Sequence, residues 1–292
     1  MSGMNIGELL RECTQSLSEG GNDNARFEAE QLIMRFCGVT RNDMLIFPAR
    51  PVTEEQEESV RQGTARRNSG EPLQYILGEW EFYGLPFEVG PGVLIPRQDT
   101  ETLSELALGF VKSHPGDGFQ AADLCAGSGC IGITLAALGK VPVRLVELSD
   151  RALEYLRRNI ALNGVSDLCE AVQGDVLSDR TAEEMPLCDL IVTNPPYLTE
   201  KDMRELQTEV KFEPETALAG GVDGLDYYRR MIPLWSERLK PGGMLAAEIG
   251  MGQESDVMQM FEECGMRAQY KKDLCGVIRV IYGIKDGGNH NG

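Results

Sequence analysis

Apolar positions in the first 78 residues recur at three- and four-residue intervals. Ile6, Leu9, Leu10, Cys13 and Leu17 share one face of a helix predicted over residues 5–19 and stopped by Gly20-Gly21. A second helix, capped by Asp23 or Asn24, is predicted through Cys37, with Phe27, Leu32, Ile33 and Phe36 inward and Gly38 as its stop. Thr53 and Gln56 make a capping box for a third over residues 54–67. Acids crowd its first turns and Arg66-Arg67 its last, as the macrodipole favours. The spacing then changes. Residues 81–89 carry the aromatic, glycine and proline punctuation of a short hairpin, and residues 96–101 lead into a helix. Beyond Thr102, apolar runs at 121–125, 143–148, 169–173, 187–193 and 244–249 alternate with helical stretches at 131–138, 151–163, 225–239 and 253–264. That rhythm predicts an α/β fold with a parallel, doubly wound sheet. Runs at 267–271 and 278–284 follow without an intervening helix and predict an antiparallel edge pair.

The expected organisation is a helical domain over 1–78, a linking hairpin over 79–101, an α/β domain over 102–285 and a disordered tail over 286–292. No catalytic constellation falls in the first domain, which reads as a small bundle for recognition or packing.

Composition narrows the partners. A 42% hydrophobic chain with 25% charged residues can bury a proper core, and no apolar run approaches the roughly 18 residues of a membrane helix. The eight cysteines are scattered, without a C-x-x-C pair, and the start carries no signal-peptide pattern; reduced thiols in a cytoplasmic protein are expected. With two histidines, His114 and His290, neither a metal site nor a histidine-based acid–base scheme is expected. A net charge of −18 opposes direct binding to DNA or RNA phosphates and suits a basic protein partner better.

Candidate chemistry lies at two strand ends. Residues Cys125, Ala126, Gly127, Ser128 and Gly129, continuing to Gly132, join the first strand of the α/β domain to its first helix, where glycines let the backbone approach a nucleotide-like ligand. Glu147 ends the second strand, placed to accept hydrogen bonds from ribose hydroxyls. The loop also matches the dinucleotide fingerprint, so this region alone leaves a nicotinamide dinucleotide and S-adenosylmethionine both open. After the strand at 187–193 come Asn194-Pro195-Pro196-Tyr197. Two prolines fix φ and remove two donors, leaving carbonyl oxygens on a rigid turn. Asn194 adds a side-chain carbonyl, and Tyr197 is expected to stack on a flat substrate. The turn is an acceptor-only cradle for an NH2 group, and it resembles the signature of methyltransferases acting on adenine N6, cytosine N4 or glutamine N5. A dinucleotide enzyme has no use for it.

Further motifs surround these two: Pro72-Leu73-Gln74-Tyr75-Ile76-Leu77-Gly78, Glu81-Phe82-Tyr83-Gly84, Ile95-Pro96-Arg97-Gln98-Asp99-Thr100-Glu101, Phe212-Glu213-Pro214, Ala219-Gly220-Gly221-Val222-Asp223-Gly224-Leu225 and Glu248-Ile249-Gly250. Together the chain resembles, over nearly its whole length, the glutamine-N5 methyltransferases of class I peptide chain release factors, the HemK/PrmC family. The resemblance implies a Rossmann-like class I methyltransferase sheet with a small N-terminal helical domain that helps hold a release factor. It implies methylation of the glutamine in that partner's Gly-Gly-Gln motif. Residues 125–129, Glu147, Asp175, Val176 and Asn194 would contact S-adenosylmethionine, with Asp175 and Val176 beside the adenine. Residues Asn194, Pro195, Pro196 and Tyr197 would hold the glutamine, with Asn194, Pro195 and Tyr197 serving catalysis. Three positions depart from the family pattern: Cys125 stands where its loop usually begins with glycine, Glu147 is one methylene longer than the commoner aspartate, and no aspartate precedes Arg279. Two other classes of function remain as alternatives: an adenine-N6 or cytosine-N4 nucleic-acid methyltransferase, and a cofactor-binding protein that acts by docking alone.

Overall fold

The computed structural model describes residues 4–116 and 118–286; residues 287–292 of the expected tail lie outside them. The chain divides into two compact units, Met1–Glu79 with Gln207–Phe212, and Trp80–Leu206 with Glu213–Gly292.

The first unit is helical: α1 (Ile6–Glu19), α2 (Ala25–Cys37), α3 (Arg41–Ile46), α4 (Glu54–Asn68) and α5 (Leu73–Leu77). The stripe expected on α1 is the buried one, each Leu or Ile contributing roughly 1.5–3 kcal/mol. Asn5, Thr40 and Thr53 each form a complete capping box. Phe27 differs from expectation and is 51% exposed. At about 100° per residue it lies opposite the stripe of Ala25, Ala29, Leu32 and Ile33. Glu28 turns inward instead, its charge met by the Arg67 guanidinium at 2.6 Å.

The second unit opens with a hairpin, β1 (Glu79–Phe82) and β2 (Leu85–Glu88), joined through Tyr83 and Gly84 with φ of 53° and 76°. Two successive left-handed residues match the twist of the flanking strands. Then come α6 (Glu101–Ser113), β3 (Ala121–Leu124), α7 (Cys130–Thr134), β4 (Val143–Glu147), α8 (Asp150–Leu162), β5 (Cys169–Gln173), α9 (Asp179–Glu183), β6 (Cys188–Thr193), α10 (Glu200–Arg204), α11 (Asp226–Ser236), β7 (Leu239–Glu248), α12 (Glu254–Glu263), β8 (Met266–Lys272) and β9 (Ile278–Lys285).

Seven strands form one sheet in the order β5-β4-β3-β6-β7-β9-β8. The first five run parallel, and the hairpin β8–β9 is antiparallel, with β9 between β7 and β8. β7 begins five residues earlier than the apolar run, at Leu239. Its register against β6 breaks between the pairs Cys188↔Leu239 and Leu190↔Met244, a bulge that accommodates Pro241 and Gly242. One sheet face packs on α6, α7 and α8 through Leu103, Ile131, Leu145 and Leu156, and the other on α11 and α12 through Tyr228, Trp235 and Phe261. Strand order reverses between β3 and β6, so the crevice beyond their carboxyl ends is where such a sheet binds ligands. Among the described residues no helix is long and apolar enough to cross a membrane.

Candidate active site

Strand register assembles the site. Leu124 pairs with Val146 on one side and Thr193 on the other, so Cys125, Glu147 and Asn194, each one residue further on, emerge at one level. They line a cavity of about 610 Å³ with Ala126, Gly127, Ser128, Asp175, Val176 and Pro196. Further walls come from residues 92–97 with Thr100, from residues 214–217 with Ala219, from Tyr227, and from the starts of α7 and α8.

Three of the residues expected to touch cofactor or substrate do not line it. Gly129 (φ 84°) turns the chain into α7, and a Cβ there would meet Leu156 Cδ1 at 2.4 Å. Pro195 is buried between two lining residues. Tyr197, expected to stack on substrate, packs its ring against Gly250 and the core face beneath α11.

The glycine loop is held by side chains from below. Glu147 accepts from the Gly127 amide through Oε2 and from the Ser149 amide through Oε1, both at 2.8 Å. Asn159, fully buried, donates to the Ser128 carbonyl at 2.9 Å and to the Glu88 carbonyl at 3.1 Å. Cys125 has φ of 58°, a left-handed conformation that glycine adopts without cost. The departure from the family pattern therefore keeps the backbone path, and places a thiol at the wall. Burial, then the charge of Glu147, pushes that thiol's pKa up, so it stays protonated. Val176 is fixed from behind by the Trp235 indole, which donates to its carbonyl at 2.8 Å.

Beneath the loop, Asp123 accepts from the Gly132 amide at 2.8 Å while Oδ1 has no hydrogen-bond partner among the described residues. Burial raises its pKa from 3.8 to about 7, against the Gly132 bond that lowers it. The folded state thus holds a proton that the unfolded chain releases near pH 4. The stability this gives is complete below pH 4 and is lost as pH rises through about 7. Asp123→Asn is therefore expected to be more stable than the parent at pH 8, by roughly 2–4 kcal/mol at about 1.4 kcal/mol per unit. Near pH 4 the gain disappears, and calorimetric melts at the two pH values check it.

The sequence reading missed Thr100, Glu213, Gly220, Gly224, Glu248 and Gln253. Asn194 Nδ2 donates to Thr100 Oγ1 at 3.2 Å. Glu213 is buried and ties two walls together, accepting from the Ile95 amide at 3.0 Å and from the Arg97 guanidinium. Gln253 donates to the carbonyls of Tyr197 and Gly224 at 3.0 and 3.2 Å. All but Gln253 lie in the quoted motifs: Thr100 in residues 95–101, Glu213 in 212–214, Gly220 and Gly224 in 219–225, and Glu248 in 248–250. Among the described residues no group of three His, Cys, Asp or Glu side chains could hold a metal.

A seven-stranded sheet of this order, with a glycine loop after its first parallel strand and a cavity at the switch point, defines a Rossmann-like class I methyltransferase. Residues 8–78 match the PrmC N-terminal domain and residues 100–213 the methyltransferase small domain. A methyltransferase structure from Pyrococcus furiosus shares the fold, with a TM-score of 0.52 at 17% identity, over 80% of this chain and 100% of that one. A release factor glutamine methyltransferase of Geobacter sulfurreducens is 41% identical over 91% of this chain and 92% of its own length. Another, from Moorella thermoacetica, is 36% identical over 90% and 91%. The chain belongs to the release factor glutamine methyltransferase family.

Proposed function

We propose that this protein uses S-adenosylmethionine to methylate the side-chain nitrogen of the glutamine in the Gly-Gly-Gln motif of class I release factors. The observation that carries the reading is Asn194, which lines the cavity with its NH2 end already engaged by Thr100.

The donor set fits the cofactor. The cavity falls within the usual size range for a small-molecule site, about 300–1,000 Å³. The space where a Gly127 side chain would stand holds no atom within 4 Å. Cys125, Ala126, Gly127, Ser128 and Asn194 would line the cofactor, Gly129 would shape the loop, Glu147 would accept from ribose hydroxyls, and Asp175 with Val176 would flank the adenine. When bound, S-adenosylmethionine supplies an electrophilic methyl group on a cationic sulfur. Glu147→Ala is expected to weaken its binding roughly 10- to 100-fold, from about 1.5–3 kcal/mol for hydrogen bonds to a charged group. Titration calorimetry measures this.

An amide nitrogen is a weak nucleophile because its lone pair is delocalised. Two N–H···O bonds, to Asn194 Oδ1 and the Pro195 carbonyl, would align the lone pair with the incoming methyl carbon and support the positive charge that builds on nitrogen. Pro196 would close the cradle. Tyr197, through its core packing and its bond from Gln253, would anchor the turn. The nitrogen loses its extra proton to water, since an N-protonated amide is strongly acidic and needs no strong base. The helical unit would help to hold the release factor.

Mass spectrometry of the Gly-Gly-Gln peptide, from unmethylated release factor incubated with protein and S-adenosylmethionine, tests the reading. One added methyl on the glutamine is the expected result. An unmodified peptide, with cofactor binding demonstrated, would overturn the assignment and direct attention to other amide or nucleobase substrates.

A further inference from the structure

We propose, building on the methyl-transfer reading above, that Glu248 is a positioning residue: together with Thr100, it sets which end of the Asn194 amide faces the cavity.

The pairing Thr193↔Ala247 between β6 and β7 brings the next residues, Asn194 and Glu248, side by side. Thr100, at the short helical turn before α6, is 1% exposed and lines the cavity. Its oxygen accepts from Asn194 Nδ2, so its own hydrogen remains to be donated. Glu248, 2% exposed, lies against the Thr100 hydroxyl and the Asn194 amide, and both hold its pKa down. An ionised carboxylate can only accept. An ionised Glu248 therefore favours donors on its side, the Thr100 hydrogen and the Asn194 NH2, which already donates to Thr100 Oγ1. With Nδ2 turned inward, Oδ1 is left for the cavity, where an NH2 substrate needs an acceptor. An amide turned the other way would set NH2 against NH2, and no hydrogen bond would form.

The surroundings make the carboxylate's state consequential. Oε2 of Glu248 has no hydrogen-bond partner among the described residues. Burial raises its pKa to about 7; Thr100 and Asn194 lower it, Asp99 raises it and Arg279 lowers it. Tyr197, Tyr228 and Cys130 are the other titratable groups that interact with it. Once protonated, Glu248 has a hydrogen to give, and the sequence of hydrogen bonds can reverse. Turnover should therefore rise with pH through about 7.

The test compares wild type with Glu248→Gln, Thr100→Val and Thr100→Ser in the full chain, with intact release factor as substrate. Glutamine at 248 both donates and accepts, and valine at 100 cuts the connection. Both variants should lose kcat on the order of 10- to 100-fold through misorientation alone. KM for the release factor and cofactor affinity should stay within about threefold, since Asn194 itself and the residues that would hold the cofactor are unchanged. Thr100→Ser should recover most of the loss, and the acid limb of the wild-type profile should vanish in Glu248→Gln. In parallel, the Asn194 side-chain NH2 resonance should shift as Glu248 titrates in wild type and stay fixed over the same range in Glu248→Gln. Wild-type kcat in both variants, no recovery with serine, or a resonance indifferent to pH would each overturn the proposal. If Glu248→Gln does not fold, the Thr100 pair and the resonance decide. An inactive wild type with the resonance coupling intact would sink the functional reading and leave the amide orientation standing.

Discussion

Alanine at position 194 is expected to lower methyl transfer roughly 10²- to 10³-fold, the cost of removing one preorganised group facing developing charge. The loss should fall on kcat. Asn194 follows the last residue of β6 and is only partly buried, so the strand and its pairing do not depend on the side chain. Thr100 loses a donor and can still donate its own hydrogen, while buried Glu248 keeps the Thr100 hydroxyl beside it. The unfolding free energy should fall by only about 1 kcal/mol, as for a single hydrogen bond. Asn194→Asp sharpens the test. It keeps two acceptors facing the substrate but removes the NH2 that engages Thr100 and sets a second acid beside buried Glu248. Two carboxylates in one site resist joint ionisation. This variant should be nearly as inactive as alanine, although aspartate is the same size and an equally good acceptor. Comparable losses in melting temperature and turnover for Asn194→Ala would instead mark a structural residue.

The elements that sequence made legible are those whose signal is local. All seven strands of the main sheet fall where an apolar run stood, and three helices of the first unit end at expected glycines or arginines or within a residue of them. Four of the five helices of five or six residues, α3, α5, α9 and α10, carry too few turns for a 3.6-residue period to show; the fifth, α7, is marked by the glycine loop before it. Phe27 went astray because size and hydrophobicity were read before phase. β7 starts early because a bulge let Pro241 and Gly242 into a strand.

The same division runs through the cavity. The glycine loop, Glu147 and Asn194 could be read because glycine and proline restrict the backbone wherever they occur, and strand ends converge in a parallel sheet. Thr100, Glu248 and Gln253 come from segments far apart in sequence, and what each does depends on the neighbour it meets. A glutamate closing the apolar run Met244-Leu245-Ala246-Ala247 was visible as an oddity, but its relation to Asn194 depends on the β6–β7 register.

Gly224 shows how much the turn at residues 194–197 relies on such distant contacts, and Gly224→Ala is expected to be among the most damaging single changes outside the cavity lining. The turn is stitched to residues 218–224 from outside. Leu198 donates to the Leu218 carbonyl at 2.9 Å, Gly220 donates to the Leu198 carbonyl at 2.8 Å, and Gln253 bridges the Tyr197 and Gly224 carbonyls. A Cβ on Gly224 would lie 2.3 Å from the Tyr197 carbonyl oxygen and 2.5 Å from Gln253 Nε2, at a φ of +77°. The left-handed backbone alone costs about 1–2 kcal/mol for a side-chain-bearing residue. The backbone contact cannot be relieved by a rotamer, so the turn has to shift. Gly242→Ala supplies the control: φ there is +80°, and nothing stands within 4 Å of the added carbon. It should lose only the conformational term and keep wild-type kcat. Gly224→Ala should lose a further 1–3 kcal/mol, typical of overpacking, and kcat by at least about tenfold through displacement of residues 194–197. Urea melts with turnover per folded molecule separate the two effects. Equal destabilisation with undiminished kcat in Gly224→Ala would mean that residues 194–197 hold their geometry without this loop.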